Sequence, residues 1–359
     1  MRGPVRAVAT VAAGPDAPAL RVRSLIPSRA LQSAGIAVSA SPLFTRRESH
    51  TFVFGGVVEK TRVLWSARRR LLDRMRADGA EIAVIHRQAD LTPSLAVERA
   101  AAQGRWLVYD VDDAIWLSGS KAAGGHRLAA FKGSVRKAQW LAAAADRVIA
   151  GNELLAEWLS PRAHHVTVVP SVVDTARIEM RRHTDQDELV LGWIGSDTTA
   201  QYLQRLAAPI STLRGRLKDR ALRLLVVGAP DSLRLDGTPC DHLSWSEDAE
   251  RIALARMDVG VMPLPDDEWT RGKCAYKALQ YMAAGIPVVA DDVGVAVRVI
   301  DGGGYVVRNE GEWTEALFSL GQDPALRSRL GEAGRRHVEA NYSVLRWAGT
   351  LAAILKGEA

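Results

Sequence analysis

The chain has 359 residues, 47% of them apolar and 25% charged, with a formal net charge of +6 and a pI near 9.5. That length supports a sizeable core and points to two domains rather than one, and the basic balance favours anionic partners such as nucleic acid, phosphorylated substrates or anionic lipid. No run approaches the ~18 apolar residues that cross a bilayer, and the far-separated Cys240 and Cys274 offer neither a disulfide framework nor zinc spacing, so an integral membrane protein and a stapled secreted scaffold are set aside and a cytoplasmic location is expected.

The N-terminus, with Arg2 and Arg6 around a short apolar run broken by Thr10, reads as a first strand and not as a signal sequence. A helix is expected over LRVRSLIPSRALQSAG, then the strand IAVSAS, then a basic helix TRVLWSARRRLLDRMRAD at 61–78. On that helix Arg62, Arg69 and Arg76 share one side opposite Leu64 and Leu71, with Arg68, Arg70 and Arg74 widening the basic face. It is either a core-packed helix with a solvated face or one that lies on anionic lipid. The strands EIAVIH, WLVYD, RVIAG and VTVVP follow, each separated by helical sequence. Strands alternating with helices argue for βαβ units and a parallel sheet over residues 1–170.

The polar stretch 171–188 breaks the pattern and reads as a linker. The alternation then restarts over 189–342 with LVLGWIG, LRLLVVGA, DHLSW, DVGVMPL, IPVVAD and GYVVRN as strands, and the last helix, 343–359, is expected to cross back onto the first domain. Two doubly wound sheets joined in this way leave a cleft between the carboxyl ends of their strands, where open α/β sheets bind ligands.

The stretch WTRGKCAYKALQYMAAGIPVVADDVG carries the most chemistry. A loop with Arg271 and Gly272 leads into a helix bearing Lys273 and Lys277, which at i and i+4 share a face. A helix N-terminus with two lysines suits a diphosphate, although a solvated basic surface has the same pattern. In GWIGSDTTAQYL, Gly195 and Ser196 form a second strand-to-helix turn whose backbone N–H groups could approach phosphate. His86 ends a strand, Arg21 and Arg23 open the first helix, and Asp110, Asp112 and Asp113 follow the apolar run of WLVYDVDDAIW.

Together GWIGSDTTAQYL, DVGVMPLPDDEWTRGKCAYKALQYMAAGIPVVADDVG and APALRVRSLIPSRALQSAGIAV resemble a bacterial GT-B-fold glycosyltransferase of the group 1 (family 4, retaining) type, over nearly the whole chain and most specifically in GKCAYKALQYMAAGIPVVA. The resemblance implies an α/β fold of two Rossmann-like domains facing a central cleft. It implies a nucleotide-sugar donor in the second domain, a glycan, lipid-linked or small-molecule hydroxyl acceptor at the first, and no metal or other cofactor. It also implies front-face transfer with retention, using donor phosphate in place of a protein nucleophile. Donor contacts then fall to Gly195, Ser196, Arg271, Gly272, Lys273, Lys277 and Gln280, and catalytic roles to His86 and Lys273. The acceptor side holds Arg21, Arg23, Asp110, Asp112 and Asp113. The two glutamates that such proteins often show across this helix, the second touching the donor ribose, are here Gly272 and Gln280. An anionic membrane surface is a further expected partner, from the inner membrane face, and nucleic acid is not.

Three rivals remain at this stage. YDVDDAIW resembles the Asp-x-Asp nucleophile motif of haloacid-dehalogenase-like phosphatases, with Mg²⁺ among the carboxylates, but Ala114 replaces the usual hydroxyl residue and the motif lies far from the first strand. A GT-A transferase would use Asp110 and Asp112 as a metal pair. A nucleic-acid-binding protein rests on charge alone, with no recognition motif to support it.

Overall fold

The computed structural model describes residues 3–117, 133–217, 220–235 and 237–358. Its first sheet contains β1 (Val5–Val11), β2 (Ile36–Ala40), β3 (Ile82–His86), β4 (Trp106–Val111), β5 (Arg147–Ala150) and β6 (Val166–Val168), in the order β2-β1-β3-β4-β5-β6. Its second contains β7 (Glu188–Ile194), β8 (Ala221–Val227), β9 (Cys240–Leu243), β10 (Val259–Met262), β11 (Val288–Asp291) and β12 (Gly304–Val307), in the order β12-β11-β10-β7-β8-β9. Every pairing is parallel. Parallel strands covered by helices on both faces must be apolar along their length, and β3 and β10 are buried from end to end.

Strand order reverses between β1 and β3 in the first sheet and between β7 and β10 in the second. Such reversals part the connecting loops and open the crevice where these sheets take ligands. The register Val11↔His86↔Asp110 brings three strand ends of the first sheet level. In the second sheet the helix Tyr276–Ala283 is docked over the crevice: Tyr281 lies so close to Gly260 that a Cβ there would sit 2.3 Å from its ring, and the Tyr281 hydroxyl accepts the Ile194 N–H at 2.8 Å.

The chain crosses between the sheets twice, and the two crossings are hydrogen-bonded side by side: Val173 N–H to Tyr342 C=O at 2.9 Å and Val344 N–H to Val173 C=O at 3.0 Å. The second crossing delivers the C-terminal helix Val344–Lys356 to the first sheet. There Leu351, Ala352, Ile354 and Leu355 pack with Ala7, Ala9, Val84, Val108 and Ile149, and Trp106 Nε1 donates to Ile354 C=O at 3.1 Å.

Local structure departs from the sequence reading at three places. The expected helix over residues 20–35 is divided: Pro18–Leu20 continues as a π-helical turn Arg21–Leu25, closed by Ile26 N–H to Arg21 C=O, and a separate helix runs Ser28–Ser33. Pro27 has no N–H for an i→i−4 bond and ends the first piece. The basic helix begins earlier, at Val57, and runs to Ala77. The helix near Lys273 starts only at Tyr276, because Ala275 takes a left-handed φ of 49°. Lys273 therefore stands in the loop before the helix and shares no helical face with Lys277.

The two halves touch through specific groups. Asn152 Nδ2 donates to Gly272 C=O at 3.0 Å, the Cys274 thiol donates to Asp112 C=O at 3.3 Å, and Arg298 pairs with Glu153. Trp269 packs into the cores of both.

Candidate functional site

Gly195 follows β7 at the strand reversal. A Cβ there would lie 2.1 Å from the Trp193 indole, and a Cβ on Gly228 (φ +77°) would meet Gly195 C=O at 2.5 Å. Only glycines let this turn fold back onto its own strand. Ser196 then caps the short helix Asp197–Ala200, and its hydroxyl lies 3.0 Å from that of Thr198.

Two lysines lie near one another at the crevice, Lys277 beside the Trp193 ring that packs on Gly195 and Lys273 on the side facing the first half. Lys277 Nζ lies 5.4 Å from the centroid of the Trp193 ring, and Lys273 Nζ lies 3.5 Å from that of Trp269 and 3.7 Å from Asp113 Oδ2 across the cleft. Burial, followed by the charge of Lys273, pushes Lys277 down to about 8, with Asp113 partly offsetting them. The second sheet thus presents two ammonium groups at its crevice, and the first sheet faces them with carboxylates.

Those carboxylates divide into two groups. Asp112 accepts from Arg87 Nε at 2.5 Å, and Asp113 lies 3.6 Å from Arg87 Nη2. Arg87 holds a left-handed φ of 58°, unusual for a side chain of that size, and so turns back beneath both. Burial alone would raise Asp112, but Arg87 holds it below the usual carboxylate range.

Asp110 belongs to a separate, buried cluster. Arg23 takes it in a fork, Nε to Oδ2 at 3.0 Å and Nη2 to Oδ1 at 2.6 Å, and spends Nη1 on Val169 C=O at 2.9 Å. His86 is 1% exposed, with Nε2 2.6 Å from Ser24 Oγ and Nδ1 2.9 Å from Asp110 Oδ2. Against the raising effect of burial, Arg23 and His86 keep Asp110 far below the ordinary carboxylate range. This differs from the expectation that Arg23, Asp110 and the His86 ring face a substrate: the π-helical turn points Arg23 into the sheet, where it and Asp110 neutralise each other. A phosphatase nucleophile at Asp110 is likewise unsupported, since the carboxylate is enclosed by its own partners. The metal pair of the GT-A reading fails for the same reason, with Asp110 and Asp112 each held by an arginine. Among the described residues no group of three or more His, Cys, Asp or Glu side chains is placed to hold a metal ion.

Arg21 and Gln280 meet through a residue that the sequence reading did not single out. Glu250 accepts from Arg21 Nη1 at 3.2 Å and Nη2 at 3.0 Å, from Trp245 Nε1 at 3.0 Å, and from Gln280 Nε2. The Arg21 guanidinium also lies over the Trp245 ring, 5.1 Å from its centroid. Arg21, Glu250 and Gln280 line a cavity of about 480 Å³ together with Met180, Leu254 and Tyr276. In sequence, Glu250 is one of three acidic residues in the first turn of the helix Glu247–Arg256 and resembles an ordinary complement to the helix dipole.

Two expected donor residues lie elsewhere. Arg271 is exposed and gripped by Asp266 of its own loop, at 2.6 and 2.9 Å. Gly272 faces the first half, where a Cβ would lie 3.0 Å from that of Ala114, so the position has no room for the glutamate often found there. Cys274, half-buried in the same contact, has its thiol pushed up to about 12 by burial.

Comparison with known proteins bears on the fold. The family described as Glycosyl transferases group 1 matches residues 188–323. Among solved structures, sucrose-phosphate synthase from Thermosynechococcus elongatus superposes with a TM-score of 0.69 at 14% identity, covering 98% of each chain. The HepE protein of Anabaena in complex with UDP and glucose gives 0.65 at 13%, covering 98% of this chain and 100% of that one. A UDP-forming α,α-trehalose-phosphate synthase from Burkholderia xenovorans gives 0.62 at 11%, covering 98% and 99%. At such identities the likeness carries the fold. A search of curated proteins by sequence finds no match.

Proposed function

We propose that the chain, whose fold is shared with GT-B glycosyltransferases and whose residues 188–323 match the group 1 family, is a glycosyltransferase that moves a sugar from a nucleotide-diphosphate donor to a glycan, lipid-linked or small-molecule hydroxyl, with retention and without a metal ion. The observation that carries this reading is the pair Lys273 and Lys277 at the crevice of the second sheet, Lys277 beside Trp193 and Lys273 facing Asp113 of the other half. The departing nucleoside diphosphate gains negative charge as the glycosidic bond breaks. Two fixed ammonium groups in a part-buried crevice stabilise that charge most when it is fully developed. In this reading Asp112 and Asp113, which follow β4, accept hydrogen bonds from acceptor hydroxyls, and Lys273, paired to Asp113, links the two ends of the reaction. His86 acts behind them by fixing Asp110 and Arg23, and with them the floor of the first sheet.

The test is a binding panel of nucleotide sugars with EDTA present, followed by transfer assays on the best donor. Lys273→Ala should weaken nucleotide binding by about ten- to hundredfold, the size of a lost charged hydrogen bond. Unchanged affinity would remove Lys273 from the donor site, and binding that disappears in EDTA would overturn the metal-free reading.

One surface favours a membrane-bound acceptor. No helix among the described residues is long and apolar enough to cross a membrane, yet Phe54, Val57, Val58 and Trp65 stand 70%, 82%, 71% and 56% exposed at one corner of the first half. Arg62 and Arg69 flank them on the Val57–Ala77 helix. Arg68, Arg70 and Arg74, which sequence placed on the same basic face, instead bond Asp90, Glu48 and Ser41. An apolar tip with a cationic rim suits shallow insertion among anionic headgroups. Flotation with anionic vesicles should be lost in Phe54→Asp/Trp65→Asp, and retained flotation would refute this placement.

A further inference from the structure

The geometry points to Glu250 as the carboxylate that receives the cis-diol of the donor's ribose, with Arg21 as a place-holder that the nucleoside displaces; this deepens the nucleotide-donor reading and rests on it. Glu250 is a buried carboxylate at the edge of a cavity of about 480 Å³, and four donors converge on it. Two of these, Trp245 Nε1 and Gln280 Nε2, come from the same half as Glu250 and stay with it whatever the other half does. The remaining two come from Arg21, which belongs to the opposite half and grips both carboxylate oxygens at 3.2 and 3.0 Å.

When a nucleoside fills the cavity and displaces Arg21, it also excludes water from Glu250, whose carboxylate then has two open acceptor sites. A buried carboxylate in that state is costly unless new donors replace the old ones. A vicinal diol supplies two parallel O–H donors to the same pair of oxygens that now take the guanidinium fork. The Trp245 ring beneath Arg21 would then offer its face to the sugar or base ring that replaces the guanidinium. Gln280, which by itself brings no charge, keeps the carboxylate oriented from the Tyr276–Ala283 helix, so the two side chains read the diol as a unit.

The experiment measures UDP, GDP and their 2′-deoxy counterparts by isothermal titration calorimetry on the full chain. The wild type should prefer the better ribonucleotide over its deoxy form by about ten- to hundredfold, the effect of one lost charged hydrogen bond. Glu250→Gln should narrow that preference to within about threefold. Arg21→Met should tighten ribonucleotide binding while keeping the preference. The double variant Arg21→Met/Glu250→Gln buries no unpaired charge and should fold even if Glu250→Gln alone does not, and it should lack the preference as well. A preference that survives in a folded protein carrying Glu250→Gln overturns the assignment of Glu250 while leaving the nucleotide-donor reading intact. Weakened binding in Arg21→Met overturns the place-holder role, since Arg21 would then be a ligand contact. A wild type that binds neither nucleotide overturns the donor reading itself, and this inference with it.

Discussion

Lys277 gives the sharpest quantitative expectation. Its pKa of about 8 means that about half of the free protein carries a neutral amine there at pH 8, and about one molecule in ten at pH 7. A diphosphate placed against the ammonium stabilises the charged form and returns the pKa to or above the ordinary lysine value. Binding a nucleotide sugar, whose phosphates hold no proton near neutrality, should therefore take up about 0.5 proton at pH 8 and about 0.1 at pH 7. Affinity should fall about tenfold between pH 7 and pH 9 as the free amine loses its proton. The sign in folding is the converse of that for a stabilising pair. The folded pKa is depressed, so this group costs stability at all pH values below about 8, and the cost is relieved as pH rises from there to the unfolded lysine value. Titration calorimetry in buffers of different ionisation enthalpy counts the protons. Lys277→Arg should keep binding and abolish the uptake, because a guanidinium does not titrate in this range. No uptake by the wild type at pH 8, or the same uptake in Lys277→Arg, would show that the phosphates sit elsewhere.

Four further expectations follow from contacts between and within the halves. Asn152→Ala removes both the Oδ1 cap on Leu155 N–H and the bond to Gly272 C=O, and denaturant titration should show a loss of about 1–3 kcal/mol. Gly272→Glu, which places a carboxylate before the Tyr276–Ala283 helix, should not raise nucleotide affinity; its Cβ would press on Ala114, and small-angle scattering should report a more open molecule. Asp110→Asn leaves Arg23 buried without its counter-charge and should cost about 3–5 kcal/mol of stability in the same titration. Removing residues 344–359 strips Leu351, Ile354 and Leu355 from the first core, and hydrogen exchange should show β1 and β4 losing protection while β7 and β8 keep theirs.

The central strands were legible because a parallel sheet covered on both faces demands uninterrupted β-branched and aliphatic runs, and runs such as EIAVIH and LRLLVV have few other uses; the half-buried edge strand β9, CDHL, was found from its place in the alternation. The crevice was legible for the same reason, since Gly195 follows one of those runs and the lysines surround a helix start. The pairing of side chains was not. Nothing in the spacing of Arg21 and Glu250, which lie 229 positions apart, shows that they meet. Lys273 and Lys277 looked like one helical face because φ at Ala275 leaves no mark on the residue type. Arg87 is hidden in the same way, since a left-handed arginine reads like any other residue after a strand. Six arginines along one helix read as a uniform basic surface, yet Arg68 and Arg70 find carboxylates on neighbouring segments that only the packed chain brings within reach.

The C-terminal helix also fixes an order of events during synthesis. The second sheet is built from one continuous stretch, Glu188 to Val307, and has its strands in hand as soon as that stretch is made. The first sheet, although its strands emerge earliest, lacks one of its walls until Ile354 and Leu355 arrive. A nascent chain usually completes its domains from the N-terminus onward; here the half made first must wait, one apolar face uncovered, for the helix Val344–Lys356 to leave the ribosome. Chaperone binding to ribosome-held chains should therefore concentrate on β1 to β4 and persist until the helix Val344–Lys356 has emerged.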